Sequence, residues 1–200
     1  MRKLLIILFL LTLLLTATPV QPATTVSGRP CPGGSGSLSC TGATQQEPTD
    51  MDDNASVYTI GRYTAADWLA TQFVYTGTTG TLCRIDVAFV KVASPTGNLN
   101  VCLYSNNEGE VGTEIACGTI DSGTFTDSMA WYSATVETTI TNGTTYWIVV
   151  EDPSADGTNY QQWGTDNTCT TENMRGSADG TTWSDNGTAS CYEIRLYIKE

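Results

Sequence analysis

The sequence predicts an all-β protein, an antiparallel β-sandwich of the jelly-roll kind, and three observations carry that expectation. Eight runs rich in β-branched and aromatic residues follow one another: LATQFVY (69–75), LCRIDVAFVKV (82–92), NLNVCLY (98–104), TEIACGTI (113–120), WYSATVETTI (131–140), TYWIVV (145–150), NYQQW (159–163) and CYEIRLYI (191–198). Clusters of Gly, Asn, Asp, Ser and Pro separate them. No run keeps a helical period for more than a turn or two, and short strands punctuated by turn residues suit two packed sheets.

The N-terminus stands apart from that texture. Arg2 and Lys3 precede an apolar run from Leu4 to Leu15 and a small-residue stretch through Ala23, the layout of a secretory signal peptide over 1–23. The run is shorter than the roughly 20 residues of a spanning helix, so the expectation is a secreted, extracellular or cell-surface chain with no membrane span after cleavage. Residues 24–56 are rich in Thr, Pro, Gly, Ser and Gln and offer almost nothing to bury, which reads as a flexible tether ahead of a sandwich domain over 57–200. The chain stops at Glu200 with no sorting motif or hydrophobic tail, so direct cell-wall anchoring is not expected.

Charge and composition exclude whole classes of function. Without Arg2 and Lys3, seven basic residues stand against 21 acidic ones, a net charge of −14 that rules out a nucleic-acid partner for want of cations to displace phosphate counterions. The chain has no histidine. Ser-His-Asp and Cys-His nucleophilic sites and every His-ligated metal site are thereby excluded.

Within the domain, alternation assigns faces. Ile85, Val87 and Phe89 fall on one side of their strand, together with Cys83, while Arg84, Asp86 and Ala88 fall on the other. At the C-terminus Tyr192, Ile194, Leu196 and Ile198 point one way and Glu193, Arg195 and Tyr197 the other. If 98–120 forms a hairpin centred near Gly109 and Glu110, residues whose numbers sum to 219 face each other, which sets Cys102 opposite Cys117 at bridging distance. Seven cysteines in an exported chain imply disulfides with one thiol left over. Cys31 would pair with Cys40, which bracket PGGSGSLS, and Cys169 with Cys191, leaving Cys83 as a buried free thiol or a bridge to a second chain.

Three stretches, SPTGNLNVCLY, GTTYWIVV and a closing DGTTW ahead of a last apolar strand, resemble the jelly-roll modules of microbial secreted and surface proteins known as choice-of-anchor domains. The resemblance covers nearly all of 57–200. It implies an extracellular β-sandwich similar to carbohydrate-binding modules, displayed by a surface anchor, and says more about fold than about activity.

One repeat asks for a use. SADGTNY, Ser154 to Tyr160, returns as SADGTTW, Ser177 to Trp183. Asp-Gly between apolar segments is tight-turn chemistry, and one turn used twice explains the repeat. The functional alternative gathers both loops at one end of the sandwich, presenting Tyr160, Trp163 and Trp183 as a platform for pyranose rings, because aromatic faces bury sugar C–H groups at little entropic cost. The acids Asp152, Asp156, Asp166, Asp179 and Asp185 lie in or near these loops. Calcium is the one cofactor they could take, with Asp156 and Asp179 the candidate ligands, although no EF-hand spacing is present.

Three Asn-x-Ser/Thr sequons, at Asn54, Asn142 and Asn186, fall in predicted loops, and a surplus of 34 threonines suits strand surfaces and a glycosylated tether. A carboxylate pair could hydrolyse glycosides without histidine, and Glu137 and Glu151, at the ends of apolar strands, are the best candidates for one, yet nothing else in the chain forms a catalytic constellation. The expectation is therefore a non-catalytic binding module for glycan or a surface polymer. The alternative is a structural subunit of a filament, sheath or surface layer, self-assembled by strand addition through the tether or SVYTI (56–60).

Overall fold

In a computed structural model of the chain, residues 40–46, 56–60, 68–166, 173–187 and 191–200 are described. The signal-peptide reading, Cys31, Asn54 and Cys169 lie outside them. Among the described residues the strands are β1 (Thr44–Gln46), β2 (Ser56–Ile60), β3 (Trp68–Val74), β4 (Gly80–Val92), β5 (Asn98–Asn107), β6 (Glu110–Asp121), β7 (Ala130–Ile140), β8 (Thr145–Glu151), β9 (Tyr160–Asp166), β10 (Met174–Ser177), β11 (Ser184–Gly187), β12 (Cys191–Tyr192) and β13 (Ile194–Lys199), with a 3₁₀ turn at Ser122–Thr124. Each of the eight predicted runs falls on a strand.

Two antiparallel sheets pack face to face. One runs β1-β13-β4-β9-β12, with β2 on the far edge of β9 and β7 on β4; the other runs β11-β10-β3-β8-β5-β6. Alternation decides what fills the space between them. Ile85, Val87 and Phe89 of β4 and Ile194, Leu196 and Ile198 of β13 meet Leu99, Val101 and Leu103 of β5 and Ile148 and Val150 of β8, all fully buried. The faces predicted for β4 and β13 hold, apart from Cys83 and Glu193. At the β6–β7 edge the sheets touch through backbone, where a Cβ on Gly118 would strike the Thr135 carbonyl.

The 98–120 hairpin forms with the expected register at its base: Asn98 faces Asp121 and Cys102 faces Cys117, and the two cysteines are bonded. Toward the tip two bulges shift the register, so that Asn107 faces Glu110 and the turn falls on Glu108 and Gly109, both at positive φ. The bulges curl the tip over the outer face of its own sheet. Val111 packs there with Trp147, Val149 and Ala70, and Glu110 reaches Arg175 of β10 at 3.3 Å. Asn106 Oδ1 accepts from Gln72 Nε2 at 2.9 Å and from Trp147 Nε1 at 3.1 Å. This outer face is therefore a second small apolar core.

Three expectations are corrected here. Cys40 bonds Cys83, 43 residues away, so Cys40 is not the partner of Cys31 and Cys83 is no free thiol. The physical reason is a bulge in β4 between Leu82 and Arg84, which removes Cys83 from the strict alternation that placed it in the core. The tether does not run to residue 56: Thr44–Gln46 pairs with Leu196–Ile198, so residues 40–46 belong to the sandwich. SVYTI, one of two donor segments offered by the self-assembly alternative, pairs within its own sheet, Ser56 with Thr165 through Ile60 with Gln161. Cys191 is disulfide-bonded as expected.

Register also gathers loops at one end. Ser177 faces Trp68, and Trp68 faces Glu151, which in turn faces Asn100. The β4–β5, β8–β9 and β10–β11 connections therefore emerge together.

Candidate functional site

Both heptads sit at that end and build the same turn. Asp156 Oδ1 accepts the N–H groups of Thr158 (2.9 Å) and Asn159 (2.7 Å), and Asp179 Oδ1 accepts those of Thr181 (2.8 Å) and Thr182 (2.7 Å). The glycine after each aspartate has positive φ, 77° at Gly157 and 69° at Gly180, which an L side chain resists. The N–H of Asn159 and that of Thr182 are the largest influences holding the respective carboxyls below the usual aspartate range. The sixth residue closes each turn: Asn159 Nδ2 donates to Asp156 Oδ2 at 2.9 Å, and Thr182 Oγ1 to Asp179 Oδ2 at 3.2 Å.

The aromatic platform is not assembled, for a reason of strand parity. Trp163 is fully buried, stacked on Phe89 (5.5 Å between centroids) and Tyr192 (4.4 Å), with its Nε1 donating to the Glu193 carbonyl at 2.9 Å. Tyr160 is half-buried at the start of β9, three residues from Trp163 and so on the opposite, outer face of the seven-stranded sheet. Trp183 is half-buried against the outer cluster of the six-stranded sheet, beside Trp68. The three rings thus occupy three different surfaces, and none of them lines the cleft beside the second heptad.

That cleft has a volume of about 250 Å³ and is lined by Gly176, Ser177, Ala178, Asp179, Thr182, Ser184 and Asn186. Its walls are made by β10, the second heptad turn and β11. Ser177 Oγ accepts the N–H groups of Asp179 (3.2 Å) and Gly180 (2.9 Å) and donates to Asp179 Oδ1 at 3.0 Å, so the wall is rigid. Gly176 is required by close approach, since a Cβ there would lie 2.5 Å from Asn186 Nδ2. The second turn packs on a ring, since a Cβ on Gly180 would lie 3.0 Å from the Trp68 indole. Sequence reasoning missed Gly176, Ser177 and Ser184 as lining residues and read Asn186 only as a sequon. The available signal was the short MRGS strand before the second heptad, which places alternate residues beside the turn.

The remaining candidates resolve individually. Asp156 and Asp179, the expected calcium ligands, spend their carboxylates on turn donors. Among the described residues the only group of three acidic or thiol ligand atoms is Cys102, Glu114 and Cys117, whose thiols form a disulfide. Asn142 is exposed, but its Nδ2 donates to the Thr76 (2.8 Å) and Gly77 (2.6 Å) carbonyls, so the atom a glycan would use holds a loop. Glu137 projects from the outer face of β7 and Glu151 from the outer face of β8, bonded by Asn100 Nδ2 at 2.8 Å. With the sandwich between them, these two acids cannot act on one glycosidic bond.

No protein-family model matches the chain, and no curated protein matches it.

Proposed function

We propose that this chain is an extracellular, non-catalytic binding module that takes a neutral glycan, or a similarly hydroxylated surface polymer, at the cleft beside the second heptad. The observation that carries the reading is the cleft's lining: hydroxyls of Ser177, Thr182 and Ser184, the Asn186 amide and the Asp179 carboxylate line one small cleft. Small pockets with several fixed polar groups suit a sugar ring, whose hydroxyls need hydrogen-bond partners. An anionic glycan fits poorly, because Asp179 stays ionised through the physiological range and the chain carries a net charge of −12. The disulfides support an oxidising, extracellular setting.

Retention of the mature protein on a panel of neutral and acidic polysaccharides tests this. Ser184→Ala and Asn186→Ala should each weaken retention about tenfold or more, while keeping the melting transition cooperative. Retention on acidic polymers alone, or retention indifferent to both substitutions, would sink the reading.

A further inference from the structure

We propose that Ser122 and Gln161 become joined by an intramolecular ester, formed by the folded chain itself, which ties one sheet of the sandwich to the other. Three polar side chains meet at the loop end from three elements and are all but fully buried: Ser122 in the 3₁₀ turn after β6 (1% exposed), Gln161 in β9 (0%) and Asp152 just after β8 (1%). Gln161 Nε2 donates to Ser122 Oγ at 3.1 Å, which sets the hydroxyl against the nitrogen bonded to the amide carbon. The same amide donates to the Asp152 carboxylate, which also accepts from Ser154 and from the Ala155 N–H. The nitrogen that must leave thus stands between a nucleophile and a carboxylate. Backbone bonds fix both reactants: Ser122 N–H donates to Gly97 O at 3.0 Å, and Gln161 pairs with Lys91 on one side and Ile60 on the other. Gln161 Oε1 is buried and takes no hydrogen bond from any described residue, so none of them holds the amide plane against turning its carbon toward Oγ.

The step balances within the chain. Ser122 Oγ attacks Gln161 Cδ, the O–C bond forms and the C–N bond breaks. The hydroxyl proton passes across the 3.1 Å contact to the nitrogen, which leaves as ammonia. As the nitrogen takes that proton it gains positive charge, and the Asp152 carboxylate bonded to it stabilises that charge and ends unchanged. Burial pushes the Asp152 carboxyl above the usual carboxylate range, against the opposing hydrogen bonds of Ser154, Gln161 and Ala155, so little water screens its charge from the amide. Holding nucleophile and amide in contact replaces a bimolecular encounter, an advantage equivalent to effective molarities of about 10⁵ M or more. Excluding water protects the product, because an ester in the core has no hydrolytic nucleophile beside it. The link closes a loop of 39 residues between the end of β6 in one sheet and β9 in the other. Burying a serine, a glutamine and an aspartate together is costly, and a covalent tie between the sheets offsets that cost in the way a disulfide does.

Mass spectrometry of the secreted mature protein tests this, on the intact chain and on its proteolytic fragments after reduction. The wild type should be lighter than its sequence by one ammonia beyond the hydrogens lost to disulfides, and one fragment should join the Ser122 peptide to the Gln161 peptide. Hydroxylamine, which cleaves esters and spares amides, should separate them. Ser122→Ala and Gln161→Met should each give the two peptides unlinked and without that ammonia loss. Asp152→Asn keeps the shape of the site but removes the charge beside the leaving nitrogen, and in newly made protein it should form the link about a hundredfold more slowly. Separate Ser122 and Gln161 peptides in the wild type overturn the proposal and leave a plain hydrogen bond in the core. So does a linked fragment that resists hydroxylamine, an ammonia loss that persists in Ser122→Ala, or a wild-type rate of linking in Asp152→Asn.

Discussion

Replacing both Cys40 and Cys83 by alanine isolates what the N-terminal segment contributes to the fold. β1 makes only three register pairs with β13, its residues are exposed or half-buried, and so the disulfide is its main attachment. The bond closes a loop of 43 residues. Loop-closure entropy for that length gives about 4 kcal/mol of stabilisation, against about 3 kcal/mol for the 15-residue Cys102–Cys117 loop. For a domain of this size 4 kcal/mol corresponds to a fall in Tm of roughly 8–16 °C. Cys83 is buried, so truncating it to alanine adds a small packing loss in the same direction. Scanning calorimetry of the Cys40→Ala/Cys83→Ala protein measures the drop, and non-reducing peptide mapping of the wild type identifies the bond directly. A Tm within about 2 °C of wild type would refute the energetic argument. A peptide joining Cys40 to Cys31 would refute the connectivity beneath it.

Two further outcomes follow from the geometry of the repeated turns and the core. Trp163→Ala removes a fully buried indole stacked between Phe89 and Tyr192 and should cost about 3–5 kcal/mol, read by urea denaturation; a loss below 1 kcal/mol would place this ring at the surface after all. Carboxyl NMR titration should find Asp156 ionised below, and Asp179 well below, the ordinary value of 3.8, because backbone N–H groups hold the charged form. With both pKa values depressed in the folded state, the turns' contribution is complete above the unfolded value and is lost as pH falls through the lowered ones; midpoints near 4 would show that the turn hydrogen bonds do not form.

Much of the fold was legible because period-2 alternation is a local property. The inward faces of β4 and β13 needed only neighbouring residues, whereas the expected pairing of Cys102 with Cys117 holds because two bulges offset a turn that falls one residue earlier than expected. What failed was non-local or irregular. The β4 bulge at Cys83 and the two bulges in the β5–β6 hairpin break the counting that alternation depends on, and no residue type announces them. The Cys40–Cys83 bond joins a segment with almost no apolar residues to a strand 43 positions on, which spacing alone does not select among seven cysteines. Trp163 was misread for a simpler reason. Its run, NYQQW, reads as a strand but is too polar to announce which face is inward: Gln161 and Trp163 share the inward face while Tyr160 and Gln162 take the outward one.

The repeated heptads show how one local structure acquires different surroundings, and exchanging them tests whether the cleft depends on the turn or on its flanks. The turn needs Asp and Gly at positions three and four and a donor at position six, a role filled by Asn159 in one copy and Thr182 in the other. Position one differs more. Ser177 caps its own turn, whereas Ser154 turns back to Asp152 and Thr96, which leaves no equivalent wall for a cleft. Position seven opens β9 as Tyr160 in the first copy and flanks β11 as Trp183 in the second. The double variant Thr182→Asn/Trp183→Tyr therefore keeps every turn hydrogen bond available and changes only Thr182 of the cleft's rim and the neighbouring ring on the outer face. It should melt within a few degrees of wild type, a difference of about 1 kcal/mol, while glycan retention falls. Retention at the wild-type level would mean that Trp183 and the rim do not contact the ligand. Loss of the folded state would mean that the second turn is specified by its indole and not by the aspartate–glycine pair.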